Sequence, residues 1–162
     1  MRWAIGLVVV ALAACGPTAE EEAERQEAIA KVKDGLEPPV EELVLDPIRY
    51  PEIEKHELYG AGCSFAPDGG GISAVAIAMA DEGYMISDGE LLRFAADAGS
   101  MELPYLAREK YTGREYSFTL KLDEAEGSQS GDETFDYRGT LNVRDSLDRT
   151  IYEAPGLVQC GA

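Results

Sequence analysis

The stretch "YMISDGELLRF", residues 84–94, decides the fold of this chain. Apolar and polar side chains alternate on both sides of Asp88-Gly89, and an Asp-Gly pair is typical of the type I′ turn that joins two antiparallel strands. We therefore predict a β-hairpin at this point.

Alternation with a period of two continues on both sides of the hairpin. It is clear in "EYSFTLKL", residues 115–122, and in "TFDYRGTLNV", residues 134–143. The small-residue run "ISAVAIAMA", residues 72–80, fits a buried strand or a short helix, and the glycine-containing turns around it favour a strand. The run "RTIYEAPGLVQC", residues 149–160, predicts a last strand broken at Pro155-Gly156.

Six to eight short strands over about 100 residues predict a mainly β domain, a small antiparallel barrel or sandwich, over residues 58–162. Between two of its strands, the run "EAEGSQSGDE", residues 124–133, predicts a flexible acidic loop.

Residues 15–57 read as an acidic spacer that precedes the β domain. The run 17–35 predicts a helix with Thr18 as N-cap, Glu21 as its capping-box partner and Gly35 as the stop signal. The proline-rich run 36–54 that follows predicts an extended, stiff segment. Its apolar residues could equally pack back onto the β domain.

The chain begins with a targeting pattern. Arg2 precedes an apolar run that is too short to cross a bilayer, and the run ends in Leu12-Ala13-Ala14-Cys15. This pattern resembles the lipobox of bacterial lipoproteins. The resemblance implies a signal peptide over residues 1–14, lipidation of Cys15 and a membrane tether of two or three acyl chains. Gly16 in place of Asp favours the outer membrane. A plain secretory signal or a short anchor helix are the alternatives.

Cys63 and Cys160 remain as an even pair near the two ends of the β domain. In an oxidising compartment this pattern favours a disulfide. Two free buried thiols or a two-cysteine metal site are the alternatives.

The charge is strongly acidic, with 31 Asp and Glu against 14 Lys and Arg and a net charge of -17. Such a field repels nucleic acid and attracts cationic proteins. Solubility and colloidal stability on a periplasmic surface are the favoured explanation of this charge.

No pattern points to a catalytic, cofactor or metal site. His56 is the single histidine and has no nucleophile motif around it, and the runs Gly60-Ala61-Gly62 and Gly69-Gly70-Gly71 lack the helix and the Lys-Ser/Thr of a phosphate loop. Acidic residues between 123 and 136 do not follow a calcium-loop spacing. Scattered carboxylates of a glycoside hydrolase stay open as an alternative.

The run "AREKYTGREY", residues 107–116, carries tyrosines together with an island of basic residues, a combination that binding surfaces use. The candidate contact residues are Tyr105, Arg108, Lys110, Tyr111, Arg114 and Lys121. Ordinary strand-edge tyrosines in a charge-balanced loop are the alternative interpretation.

The stretch "LPYLAREKYTGREYSFTLKLDEA", residues 103–125, resembles the central motif of the membrane-bound inhibitors of c-type lysozyme. Leu103-Pro104, Lys110-Tyr111, Phe118, Lys121 and 123–125 follow the order of that motif. The resemblance implies a small lipoprotein β-barrel with joined N- and C-terminal cysteines and a basic partner. The chain departs from it at Leu122, where the family has glycine, and at 107–109, where its loop serine is absent.

Together these patterns predict a lipid-anchored envelope lipoprotein, a non-enzymatic binding module of unknown ligand. A lysozyme-inhibitor-like protein, an envelope hydrolase with scattered carboxylates and a passive structural lipoprotein are the alternatives.

Overall fold

A computed structural model of the chain describes residues 18–36, 38–124 and 126–162. The predicted signal segment 1–14 and the predicted lipidation residue Cys15 lie outside the described residues. The chain divides into two compact units, Met1–Pro39 and Val40–Ala162.

The first unit contains helix α1, Ala19–Leu36. Its predicted capping box is confirmed: Glu21 Oε2 accepts a hydrogen bond from Thr18 N at 2.8 Å, and Thr18 Oγ1 accepts one from Glu21 N at 3.3 Å. The helix ends at Leu36, one residue beyond the predicted stop. Within the described ranges, no helix combines the length and the apolarity that crossing a membrane requires.

The second unit is a mainly β structure, as predicted, and the predicted barrel is closed. Its strands are β1 (Gly62–Pro67), β2 (Ala76–Met79), β3 (Glu82–Ser87), β4 (Glu90–Ala96), β5 (Lys110–Thr112), β6 (Tyr116–Leu122), β7 (Ser128–Gly131), β8 (Thr134–Asp145) and β9 (Thr150–Gly161). All pair in antiparallel fashion in the order β6-β5-β4-β3-β2-β1-β9-β8-β7. An additional pairing of β6 with β8 closes eight of them into a barrel and leaves β7 as an extra strand on β8.

The interior of the barrel is built from the alternating apolar residues of the predicted strands. The phenol ring of Tyr111 stacks on the ring of Phe118 with centroids 4.5 Å apart, and Phe94 meets Phe118 edge-on at 5.0 Å. Gly83 faces these rings, and a Cβ there would lie 2.6 Å from Phe118 Cζ. The absence of a side chain at Gly83 therefore makes room for the aromatic cluster.

One end of the barrel, which we call the disulfide end, carries the predicted Cys63–Cys160 disulfide. The two cysteines face each other across β1 and β9 with Cα atoms 4.0 Å apart, 97 positions apart in the chain. The turn Pro104–Leu106 lies against this end, since the carbonyl oxygen of Pro104 is 3.6 Å from Cys63 Sγ.

The opposite end, which we call the linker end, is crossed by the segment that leads into the barrel. Leu43 N donates to Ile151 O at 2.9 Å, and Asp46 N donates to Ile86 O at 2.8 Å. Leu43 and Leu45 pack against the barrel core. The possibility that these apolar residues pack back onto the domain is thus realised, and residues 40–57 belong to the same compact unit as the barrel.

The same segment contains helix α2, Tyr50–His56, where the sequence predicts an extended chain up to residue 54. The prediction is wrong because Pro51 lies in the first helical turn. Backbone N–H groups in that turn make no hydrogen bond within the helix, so the N–H that proline lacks is not needed there. Ile53 of α2 packs on a cluster made by Ile48, Leu58, Ile77, Tyr84 and Ile86.

Two further predictions near the C terminus are wrong. The run 124–133 is not only a loop, because Ser128–Gly131 forms β7 and pairs with β8. Strand β9 continues through Pro155-Gly156, with Pro155 opposite Thr140. A Cβ at Gly156 would collide with the carbonyl oxygen of Ala66. The glycine therefore allows β1 and β9 to approach closely and does not interrupt the strand.

Candidate binding surface

The barrel interior is filled by its own side chains. Phe65, Tyr111, Leu141 and Val158 are fully buried in it. A packed interior of this kind holds no small-molecule ligand. The two larger depressions of the described residues lie on its outer surface.

The outward side chains of β5, β6 and β8 form a polar face with a depression of about 840 Å³. Its members on these strands are Lys110, Thr112, Ser117, Thr119, Lys121, Thr140, Asn142 and Arg144. They share one face because every second residue of a strand points to the same side. Hydroxyl, amide, ammonium and guanidinium groups of these strands share the depression with the carboxylates of Asp97, Glu109, Asp123, Asp148 and Glu153.

Two lysines lie close together on the polar face. Lys110 stands opposite Thr119 on β6, and Lys121 lies two positions further along that strand. Among the described residues neither forms an ion pair, whereas Arg144 on β8 is bound to Asp148 at 2.9 Å.

A second depression, of about 540 Å³, opens at the disulfide end beside the polar face; we call it the apolar–acidic groove. Apolar side chains and carboxylates line it together: Met101, Leu103, Pro104, Leu122, Glu102, Glu109, Asp123 and Glu124, with Lys121. Glu109, Lys121 and Asp123 line both depressions, so the groove and the polar face adjoin.

The wall of the groove that contains Pro104 is held in an unusual backbone conformation. Tyr105 and Leu106 both have left-handed backbone angles, with φ of 57° and 65°. Such a conformation costs about 1–3 kcal/mol for each non-glycine residue. The Tyr105 hydroxyl donates to Glu133 O at 2.6 Å, and Leu103 N donates to Ala107 O at 2.8 Å. These bonds hold the strained turn against the disulfide end.

The structure distributes the predicted contact residues over three places. Lys110 and Lys121 share the polar face. Tyr105 and Arg108 belong to the disulfide end, where Arg108 forms an ion pair with Glu102 at 3.1 Å. Arg114 lies in the turn between β5 and β6, towards the linker end. The six residues therefore do not form one surface.

Tyr111 is a correction to the predicted contact surface, because its side chain is fully buried. Its hydroxyl accepts a hydrogen bond from Arg108 N and donates one to Met79 O, both at 2.7 Å. Burial raises the pKa of this hydroxyl. Tyr111 acts as a core residue that ties β5 to β2 and to the 101–108 loop.

The sequence patterns did not point to the apolar members of the groove. Met101 is 67% exposed, although methionine is an apolar residue, and it lies on the loop between β4 and β5. The signal that could have found it is the run "MELPYL", residues 101–106, in which apolar and turn residues stand together without strand alternation.

The carboxylates with an altered pKa lie outside both depressions. The Arg138 guanidinium, hydrogen-bonded to Asp68, lowers the pKa of that carboxyl. Desolvation by itself would raise the pKa of Asp145, but hydrogen bonds from Arg149 and Leu147 N lower it on balance. Over residues 18–36, 38–124 and 126–162, no group of three or more His, Cys, Asp or Glu is placed to hold a metal ion.

Comparisons with protein-family models, with curated proteins and with solved structures find no match for this chain.

Proposed function

We propose that this chain is a lipid-anchored envelope lipoprotein whose barrel is a non-enzymatic binding module. The observation that carries the proposal is the pair of adjoining depressions on the outside of a filled barrel. The lipobox pattern that ends at Cys15 supports the tether and the outer-membrane location. The acidic net charge of -17 supports a basic protein as partner.

The position of the groove supports a partner that approaches from the side away from the linker. Residues 43–46 cross the linker end, and the groove opens at the disulfide end. Strand β9 connects the two ends over 12 residues, a length of about 40 Å in an antiparallel strand.

The tether is tested on the full chain expressed in a diderm bacterium. We expect membrane-extracted protein that has lost residues 1–14 and gained acyl mass, and a Cys15→Ser variant that gains none. An unacylated wild-type chain in the soluble fraction would contradict the lipoprotein assignment.

The binding module is tested by site-specific photo-crosslinking in the same cells. We expect p-benzoylphenylalanine at Lys110 or Lys121 to give a discrete protein adduct. The matched control site is Ile72, which is fully exposed but lies in the connection between β1 and β2. Equal labelling at all three sites, or adducts at none, would contradict a specific binding face.

A lysozyme-inhibitor-like function is a second candidate. The closed barrel with its joined cysteines agrees with what the resemblance implies for the fold. The loop at 107–109 argues against retained inhibition, since Ala107 is fully buried and Arg108 is paired with Glu102. Turbidity clearance of bacterial cells by c-type lysozyme, with and without the purified barrel, decides this candidate: slower clearance supports it, and an unchanged rate removes it.

The hydrolase alternative gains no support from the three carboxylates whose pKa is altered. Glu21, Asp68 and Asp145 all have a lowered pKa, whereas a general acid of a glycoside hydrolase needs a raised one.

A further inference from the structure

We propose that the apolar–acidic groove receives a cationic polypeptide segment that inserts an apolar side chain between flanking Lys or Arg residues. This inference rests on the proposed binding function and names the chemistry of its partner. It is carried by the coincidence of exposed apolar surface and unneutralised carboxylates in one preformed groove.

The floor of the groove provides the apolar contact. Leu103 is buried, Leu122 is half-buried, and Met101 remains 67% exposed on the same groove. An exposed methionine beside leucines adapts to apolar side chains of different shape. An incoming apolar side chain that covers this surface removes it from water, which favours binding.

The rim of the groove provides the charge. Four carboxylates line it against one lysine, Lys121. Arg108 neutralises Glu102, while Glu109 and Glu124 form no ion pair with any described residue. The groove therefore keeps a net negative charge, which complements flanking cations and disfavours an acidic or neutral segment.

The wall of the groove is preformed, which lowers the entropic cost of binding. Pro104 leads into the two left-handed residues, and the turn is held by the Tyr105–Glu133 hydrogen bond and by the disulfide beneath it. Glu109, which also lines the groove, donates its backbone N–H to Met101 O at 2.9 Å and accepts a hydrogen bond from Leu120 N at 2.8 Å. These hydrogen bonds and the disulfide fix the backbone on which the groove is built.

The experiment is a titration of the purified chain from residue 16 onward, with the disulfide intact, with three amidated hexapeptides. The probe is Lys-Arg-Leu-Phe-Arg-Lys, and its controls are Glu-Asp-Leu-Phe-Asp-Glu and Lys-Arg-Ser-Ser-Arg-Lys. Amide chemical shifts report the site of binding. We expect only the probe to shift the amides of residues 101–103 and 122–124, with an affinity that falls as salt is added.

Two pairs of variants separate the groove from the general acidity of the chain. The double variant Glu109→Gln with Glu124→Gln should weaken the probe about fivefold, because it removes two surface carboxylates, one half-buried and one exposed, that pair with the flanking cations. The matched double variant Glu90→Gln with Glu115→Gln makes the same charge change at exposed positions of the linker end and should leave the affinity unchanged. Met101→Ser should weaken the probe about fivefold, and Leu147→Ser, 52% exposed in the β8–β9 turn, should not.

Equal weakening by both double variants, equal binding of the two cationic peptides, or absence of the residue 101–103 and 122–124 shifts would overturn the inference. Crosslinking at Lys110 or Lys121 together with no probe in the groove would overturn the groove inference and leave the binding function in place. Absence of crosslinking as well would overturn both.

Discussion

The Tyr111 hydroxyl donates a hydrogen bond to the carbonyl oxygen of Met79 at 2.7 Å and so joins two strands that are not neighbours in the sheet. Strand β5 contributes the tyrosine, and the carbonyl belongs to the end of β2. The same hydroxyl accepts a hydrogen bond from the backbone N–H of Arg108. A tyrosine that the sequence pattern places on the surface therefore connects the barrel core to the 101–108 loop.

Tyr111→Phe tests this junction. The variant keeps the stacking on Phe118 but leaves Met79 O and Arg108 N without their partner. We expect the free energy of unfolding to fall by about 1–3 kcal/mol, measured by urea denaturation. Tyr50→Phe, at a tyrosine that is 63% exposed, is the control and should be neutral. Equal stability of wild type and Tyr111→Phe would contradict a core role for the hydroxyl.

Gly83→Ala tests the packing of the aromatic cluster. The new methyl group would lie 2.6 Å from Phe118 Cζ and 2.8 Å from Tyr111 Cδ1, so the rings must shift. We expect a loss of about 2 kcal/mol in the free energy of unfolding and changed near-ultraviolet dichroism. Gly99→Ala is the matched control, because only a flexible Asp97 carboxylate lies nearby. The same unfolding midpoint for both variants would show that the rings around Gly83 are not closely packed.

The double variant Cys63→Ala with Cys160→Ala tests the disulfide. Its loop spans 97 positions, and the chain-entropy model gives an upper figure of about 4.7 kcal/mol for a loop of about 100 residues. We expect a loss of about 2–5 kcal/mol in denaturation experiments. The chain from residue 16 onward, which lacks Cys15, should keep its mass when it is treated with iodoacetamide without reductant. Alkylation at both cysteines would show that the bridge does not form in the folded protein.

Asp145→Asn tests the charge contribution in the turn between β8 and β9. The folded-state pKa of Asp145 is lowered, so the stability from this group is complete above its unfolded pKa of about 3.9 and is lost as pH falls through the folded value. We expect the variant to be less stable than wild type near neutral pH and the difference to shrink below about pH 4.

Denaturation across this pH range checks that result, with Glu115→Gln in the exposed β5–β6 turn as the control. A stability difference between wild type and Asp145→Asn that is constant with pH would refute a role of the carboxylate charge.

Local patterns predicted much of the secondary structure. The Asp88-Gly89 hairpin, the strands around Phe118 and Leu141 and the α1 capping box all follow from hydrogen bonds and side-chain periods within a few residues. Helix α2 was missed because Pro51 reads as a breaker unless the helix start is already known. Strand β7 was missed because its polar residues are strand only through pairing with β8.

The candidate site was predicted in part. Lys110 and Lys121 come together on the polar face because two antiparallel strands bring alternate residues to one side. Tyr111 was misassigned because its exposure depends on the register of β5 with β4 and β6, which no local pattern contains. The groove combines residues 101–104 with residues 122–124, and its existence depends on how the loop packs on the disulfide end.

By itself the sequence determined a β-rich domain with two cysteines near its ends, a capped acidic helix before it and an acidic charge, and it predicts the lipoprotein tether. These properties depend on composition and on short-range periodicity. Only the tertiary structure decided that β6 pairs with β8 to close the barrel, that Tyr111 is core, and that Met101 and Glu109 share a groove. The reason is that closure, burial and groove shape arise from contacts between residues far apart in the chain, which only the packed fold defines.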